Sequence, residues 1–230
     1  MAEYKMLSEI KEQPEVIRRL IENRQSLPMQ EAVAAIKDAF SKQADICLVG
    51  NGSSYNSCIY GEFILSIQAK MLVNLYDTSE FDSFIPNLTE ESVVILVSQS
   101  GETGDAIKLI PKIKFQKSKI ILISNNPDST LAKEADIVLD LKAGVNEAIP
   151  STKGYIAEIT TFALVSDAVS GSDSFLQRSG VIINDIDMTL KRDYHQLLEL
   201  ADRIHTSTDM FVLGHSVGLS NAYEAALKFK

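Results

Sequence analysis

Five short stretches rich in apolar residues punctuate the first two-thirds of the chain: 45–49, 71–77, 93–97, 119–124 and 137–141. Polar residues bound each of them. Runs this short, built from Val, Ile and Leu with little alternation, predict strands buried on both faces, as in a parallel sheet. Between them apolar positions recur at helical spacing. Val16, Ile17, Leu20 and Ile21 form one such face, with Pro14 placed for a first helical turn. Ser26-Leu27-Pro28 breaks it, and Ala32, Val33, Ala35, Ile36, Ala39 and Phe40 begin a second helix. Further helices are expected from Ser57 towards Ala69, from Thr78 or Ser79 as a cap, from Gly104 to about Gln116, over 129–134 and over 156–169. Pro111 falls inside one of them and predicts a kink or an early end. Strands alternating with helices at this spacing imply βαβ units with right-handed crossovers. The expected fold is therefore α/β, a three-layer sandwich with a five-stranded parallel sheet, preceded by two helices.

Beyond Gly171-Ser172-Asp173-Ser174 the pattern changes. Ile183, Ile186, Leu190, Tyr194, Leu197, Leu198, Ala201 and Ile204 predict a long linker helix. Met210 to Leu213, followed by Gly214-His215-Ser216, then repeats the strand, glycine and polar turn of residues 46–54, and a helix opens near Asn221. Helices as short as the first two need tertiary support. They are expected to pack on the next unit or on a partner chain, which points to a homodimer.

Three of the expected strand-to-helix junctions share one chemistry. Gly50-Asn51-Gly52-Ser53-Ser54 follows the first strand, Ser98-Gln99-Ser100-Gly101-Glu102-Thr103 follows the third, and Ser151-Thr152-Lys153 opens the helix over 156–169. A helix amino terminus offers unpaired N–H groups and a partial positive charge. Hydroxyls, an amide and a glycine at the same place suit a phosphate. No Gly-Lys-Ser/Thr is present, so the turn at 98–103 is not a nucleotide P-loop, and the third glycine of a dinucleotide fingerprint is missing from 50–54. In open parallel sheets ligands bind at the carboxyl ends of strands where the strand order reverses.

Composition narrows the partners. The chain is 45% hydrophobic and 23% charged, with a net charge of −9 and no basic run, which argues against nucleic acid. Cys47 and Cys58 are the only cysteines and draw neither a disulfide framework nor a metal pair; Cys47 falls in an expected strand as a core residue. No stretch has the length of a membrane span or the pattern of a signal peptide, so a cytoplasmic protein without metal or cofactor is expected.

Gly52-Ser53-Ser54-Tyr55-Asn56-Ser57, Ser79-Glu80-Phe81, the 98–103 turn, Ser151-Thr152-Lys153 and Glu224-Ala225-Ala226-Leu227-Lys228-Phe229-Lys230, in that order, resemble the sugar isomerase (SIS) family. Within it the resemblance is to the isomerase half of the glutamine–fructose-6-phosphate aminotransferases. It implies a flavodoxin-like SIS fold and a hexose 6-phosphate ligand. By the same resemblance Ser98, Gln99, Ser100 and Thr103 would bind phosphate with Ser54 beside them. Ser151 would meet the sugar, with backbone contacts from Ile149 and Pro150. Lys228 would stand near the reacting carbons, with Glu224 on the same helix. The family's general base would be the residue after Lys230, and a chain without the family's glutaminase domain is expected.

The resemblance thus implies a helical segment over 1–42, a first SIS domain over 43–170, a linker over 171–207 and the start of a truncated second domain over 208–230. The implied activity is aldose–ketose isomerisation of a fructose-6-phosphate or glucosamine-6-phosphate-like substrate. A fructosamine-6-phosphate deglycase and a non-catalytic sugar-phosphate-binding regulator are the alternatives. His215 and Glu102 are further candidates for acid–base work; His195 and His205 lie on the expected linker helix.

Overall fold

In the computed structural model the structure describes residues 4–192 and 195–230. The chain runs α1 (Lys5–Lys11), α2 (Gln13–Glu22), α3 (Leu27–Ser41), β1 (Ile46–Gly50), α4 (Ser53–Gln68), β2 (Asn74–Asp77), α5 (Thr78–Phe81), β3 (Val93–Val97) and α6 (Gly104–Phe115). It continues through β4 (Lys119–Ser124), α7 (Thr130–Glu134), β5 (Ile137–Asp140), α8 (Lys153–Ser170), α9 (Ser174–Leu190), α10 (His195–Ile204) and α11 (Gly218–Lys228). The five strands form one parallel sheet in the order β2-β1-β3-β4-β5. This is the expected α/β sandwich. Successive strand residues face opposite sides of the sheet. Val93, Ile95 and Val97 of β3 join Val16, Ile36, Leu65 and Phe162 in a core under α2, α3, α4 and α8. Val94 and Leu96 join Phe81, Leu109, Ile113 and Leu131 in the core on the other face.

The order places the reversal of chain direction between β1 and β3. From β1 the chain steps outward to β2, then crosses back to β3 and continues the other way. Val49 is level with Leu96, so the turns after β1 and β3 emerge side by side at one edge.

The amino-terminal helices are part of the sandwich. Val16, Ile17 and Leu20 of α2 and Ala32, Ile36 and Ala39 of α3 are buried, and α2 and α3 both pack on α8. Most of their apolar residues are covered within the chain, while Phe40 at the end of α3 stays 43% exposed. Three helices precede the sheet where two were expected. The extra one, α1, is too short to stand alone. The buried Glu9 carboxylate fixes it by accepting the N–H groups of Glu147 (2.6 Å) and Ala148 (3.0 Å).

Other boundaries shift for local reasons. Helix α4 begins at Ser53, four residues earlier than expected, and α6 passes through Pro111 to end at Phe115. Asp77, rather than Thr78 or Ser79, caps α5 by accepting the Ser79 N–H at 2.9 Å. The expected linker helix is two helices, α9 and α10, and Tyr194 lies outside the described residues. The expected strand at 210–213 does not form: among the described residues no strand pairs with it, and Phe211 and Leu213 are 88% and 90% exposed. A lone extended segment has no ladder to complete. Cys47 and Cys58 are free, buried core residues. No described helix is long and apolar enough to cross a membrane.

The packing of α4 on α8 lies directly behind the site. A Cβ on Gly61 of α4 would meet the Phe162 ring of α8 at 2.7 Å. Gly61→Val forces the ring, and with it α8, away from α4. The expected loss in unfolding free energy is about 1–3 kcal/mol, measured by urea denaturation.

Candidate functional site

The first turn is shaped by Gly50. A side chain there would collide at 2.7 Å with the Ser54 carbonyl carbon, so only glycine lets α4 start directly against the end of β1. Three side chains of that opening turn reach two other helices. The Ser53 hydroxyl donates to Glu224 Oε1 of α11 at 2.9 Å and accepts from Lys228 Nζ at 3.0 Å. Asn56 Nδ2 donates to Glu224 Oε2 at 2.9 Å. The Ser54 hydroxyl donates to Glu158 Oε1 of α8 at 2.8 Å. Glu224 also pairs with Lys228, one helical turn on, at 2.5 Å.

Helix α11 is docked by a second set of contacts. The Ser220 hydroxyl donates to the Asn56 carbonyl at 2.6 Å. The Tyr155 hydroxyl lies 2.6 Å from Ser220 Oγ and donates to Asn221 Oδ1 at 2.9 Å. Burial pushes the Tyr155 phenol up to about 12, so it stays a donor at neutral pH. Thus Lys228 and Glu224 meet the amino end of α4.

The second turn is held from within. Ser98 Oγ and Thr103 Oγ1 lie 2.8 Å apart, and Ser98 Oγ accepts the Gly101 N–H at 3.2 Å. Ser100 Oγ accepts the Glu102 N–H at 3.2 Å, and Ser100 itself is exposed. Gly101 has φ +65, and a Cβ there would fall 2.0 Å from Ser129 Oγ; only glycine permits this turn to close on α7. The first N–H groups of α6 have no acceptor within their helix and open at this edge. Glu102 is turned away. Its carboxylate accepts the Thr130 N–H at 2.8 Å, and that bond holds it below the usual carboxylate range. It serves the start of α7.

The third turn joins the second. A Cβ on Gly154 would stand 2.4 Å from Ser151 Oγ and 3.2 Å from Gln99 Cγ, so Ser151 and Gln99 flank the same small space. Thr152 Oγ1 and Asn146 Oδ1 beside it are buried without a hydrogen-bond partner. Lys153 is not part of this space: 2% exposed, it reaches Glu12 at 2.7 Å and ties α8 to the amino-terminal helices. Ile149 projects fully into solvent. His195 and His205 on α10, and His215 ahead of α11, are exposed.

The structure therefore brings Ser54 and the Glu224–Lys228 pair to one junction after β1, and Ser98, Gln99, Ser100, Thr103 and Ser151 to the neighbouring junctions after β3 and before α8. Sequence reasoning missed Ser53 and Asn56 as supports of Glu224, and it missed Glu158. That carboxyl is fully buried, and burial pushes it up to about 7. The signal for it was present: an acid inside an apolar helical run, with Ala157 before it and Phe162, Ala163 and Leu164 after it.

Known proteins are similar to this chain in sequence and in fold. A glutamine--fructose-6-phosphate aminotransferase [isomerizing] of Geobacillus kaustophilus is 32% identical over 232 residues, 98% of this chain and 39% of that protein. The chain thus spans about two-fifths of that relative's length. The solved C-terminal domain of a glucosamine-fructose-6-phosphate aminotransferase from Francisella tularensis is 26% identical, with TM-score 0.79, over 100% of this chain and 67% of the other. A glucosamine-6-phosphate deaminase from Thermotoga maritima shares the fold, with TM-score 0.67 at 22% identity over 98% and 66% of the two chains. The SIS domain profile matches residues 39–166, which hold β1 to β5 and most of α8, and the chain belongs to the SIS domain family.

Proposed function

We propose that the chain binds a hexose 6-phosphate of the fructose 6-phosphate type and takes part in moving a proton between its C1 and C2, as an aldose–ketose isomerase does. The observation that carries this is the docking of α11: Lys228 and Glu224 stand on Ser53 and Asn56, one strand away from the hydroxyl turn at 98–103. One end of the site offers donors for an anion. The other offers a charged pair for the reacting end of the sugar.

In this reading the phosphate lies on the amino end of α6, with donors from Ser98, Ser100, Thr103 and Gln99 and the Ser54 hydroxyl beside them. The open-chain sugar runs past Ser151 towards Lys228. Isomerisation passes through an enediolate, and its oxygens gain negative charge as the proton leaves carbon. An ammonium fixed beside them lowers that barrier, because its position is set before the reaction begins. Glu224 keeps Lys228 in place, since a lone lysine has four rotatable bonds and Glu224 is itself anchored by two donors of α4. The phosphate grip supplies position: a substrate held at its far end presents C1 and C2 without further loss of freedom. The relatives' names, which join fructose 6-phosphate to isomerisation, support the same substrate class.

Two experiments test this. In calorimetric titration with fructose 6-phosphate, the Ser100→Ala/Thr103→Ala double variant should bind about a hundredfold more weakly, from two hydrogen bonds to a charged group at roughly 1.5 kcal/mol each. Unchanged affinity removes the phosphate assignment. In a coupled assay of fructose 6-phosphate against glucose 6-phosphate, Lys228→Met should lower kcat by about 10²–10³ while the affinity for fructose 6-phosphate changes far less. Tight binding by the unaltered chain with no turnover would instead make this a sugar-phosphate receptor.

A further inference from the structure

We propose that Glu158 acts as a proton switch on Ser54: it must take up a proton before the Ser54 hydroxyl can donate to the phosphate, so the chain binds its sugar phosphate together with a proton. The inference rests on the phosphate placement given above and adds a residue and a proton that neither the fold nor the relatives' names contain.

The argument is a count of donors. Ser54 has two, its N–H and its O–H. The N–H is spent on the Asn51 carbonyl at 3.1 Å. The O–H is spent on Glu158 Oε1 at 2.8 Å. An ionised carboxylate can only accept, so while Glu158 is charged the Ser54 proton points at it and is not available to a ligand. Ser54 would then offer an incoming phosphate only oxygen lone pairs, and these repel it. A protonated Glu158 reverses the bond. It donates its own O–H to Ser54 Oγ, and the serine hydroxyl is free to rotate to the ligand.

The surroundings favour this exchange. Glu158 is 0% exposed, and its Oε2 has no hydrogen-bond partner, so the ionised form lacks the donors a buried carboxylate needs. On α4, Ser54 favours the charged form and so does the nearby Ser57, whose own hydroxyl donates to the Ser54 carbonyl; the buried Cys58 lies on the same face. On α11, Glu224 opposes the charge and Lys228 favours it. Tyr155, on Glu158's own helix, is an undissociated phenol. Desolvation is the largest of these effects and leaves the carboxyl at about 7, with both forms present near neutrality. A phosphate dianion arriving at the Ser54 turn adds another negative charge and drives the proton on.

The test compares fructose 6-phosphate binding by the unaltered chain and by Glu158→Gln, whose amide N–H can donate to Ser54 as the acid would. Titrations in two buffers of different ionisation enthalpy count the protons taken up. Phosphate's own titration near pH 6 is common to both proteins and cancels in the difference. Between about pH 7 and 9 the unaltered chain should weaken by up to tenfold per unit, the limit for one linked proton, and Glu158→Gln should stay flat and bind as tightly as the unaltered chain does at low pH. Should Glu158→Gln fail to fold, Ser54→Ala serves: with Glu158 present but no hydroxyl to release, the excess proton uptake should fall to the part driven by the phosphate charge alone. Equal proton uptake and equal pH dependence in all three proteins overturn the switch and leave the site standing. Absence of fructose 6-phosphate binding in every protein at every pH overturns the switch and the proposed function together.

Discussion

Two buried carboxyls at the end of β1 hold this site together. Glu158 comes from α8 and Glu224 from α11, and both are met by the opening turn of α4. Removing a carboxylate from water costs several kcal/mol unless hydrogen bonds and opposite charge replace the solvent. Glu224 receives both: Ser53, Asn56 and Lys228 surround it. Glu158 receives one hydroxyl and no cation in contact. The same turn therefore carries one fully compensated acid and one that stays close to its neutral form. The first fixes α11 in place, and the second couples the site to the proton.

The fold makes this meeting unavoidable. Parallel strands send every following helix away from the same edge of the sheet. The amino ends of α4 and α6 gather there because they follow the neighbouring strands β1 and β3, and α8 returns to the same edge after β5. Small side chains at the turns follow from that crowding. Gly50 and Gly101 sit where a Cβ would strike the Ser54 backbone or the Ser129 side chain. A hydroxyl-rich turn is what remains once bulky residues are excluded and each helix start still needs partners for its N–H groups.

The strands and the hydroxyl turns were legible because their signals are local. An apolar run of five and a Ser-Gln-Ser-Gly-Glu-Thr turn mean the same thing wherever they occur. What failed was tertiary. Met210 to Leu213 looks like β1 in composition, yet a strand exists only through its neighbour, and the sequence does not say whether one is supplied. Lys153 and Glu102 stood in apparently exposed turns, and their roles were decided by Glu12 and by the Thr130 N–H, 141 and 28 residues away in sequence. The face of Glu158 could be read only once α4 and α8 were placed in contact, which Gly61 against Phe162 makes possible.

The proposed anion site in a protein of net charge −9 looks at first like a contradiction, and it is resolved by the local charges. Charges far apart on a solvated surface are screened within about 10 Å, so the overall sum matters less than what lies within a few ångströms of the turns. There the inventory is short. The amino ends of α4, α6 and α8 each contribute a partial positive charge, and Lys228 offsets Glu224. Glu102, in the second turn, is engaged by the Thr130 N–H, and Glu158 is the acid at the β1 junction without a cation in contact. A neutral Glu158 leaves the junction net attractive to an anion, while a charged one sets it against the ligand. The burial that makes this carboxyl costly to ionise is thus the same feature that would let an acidic chain present the proposed phosphate site.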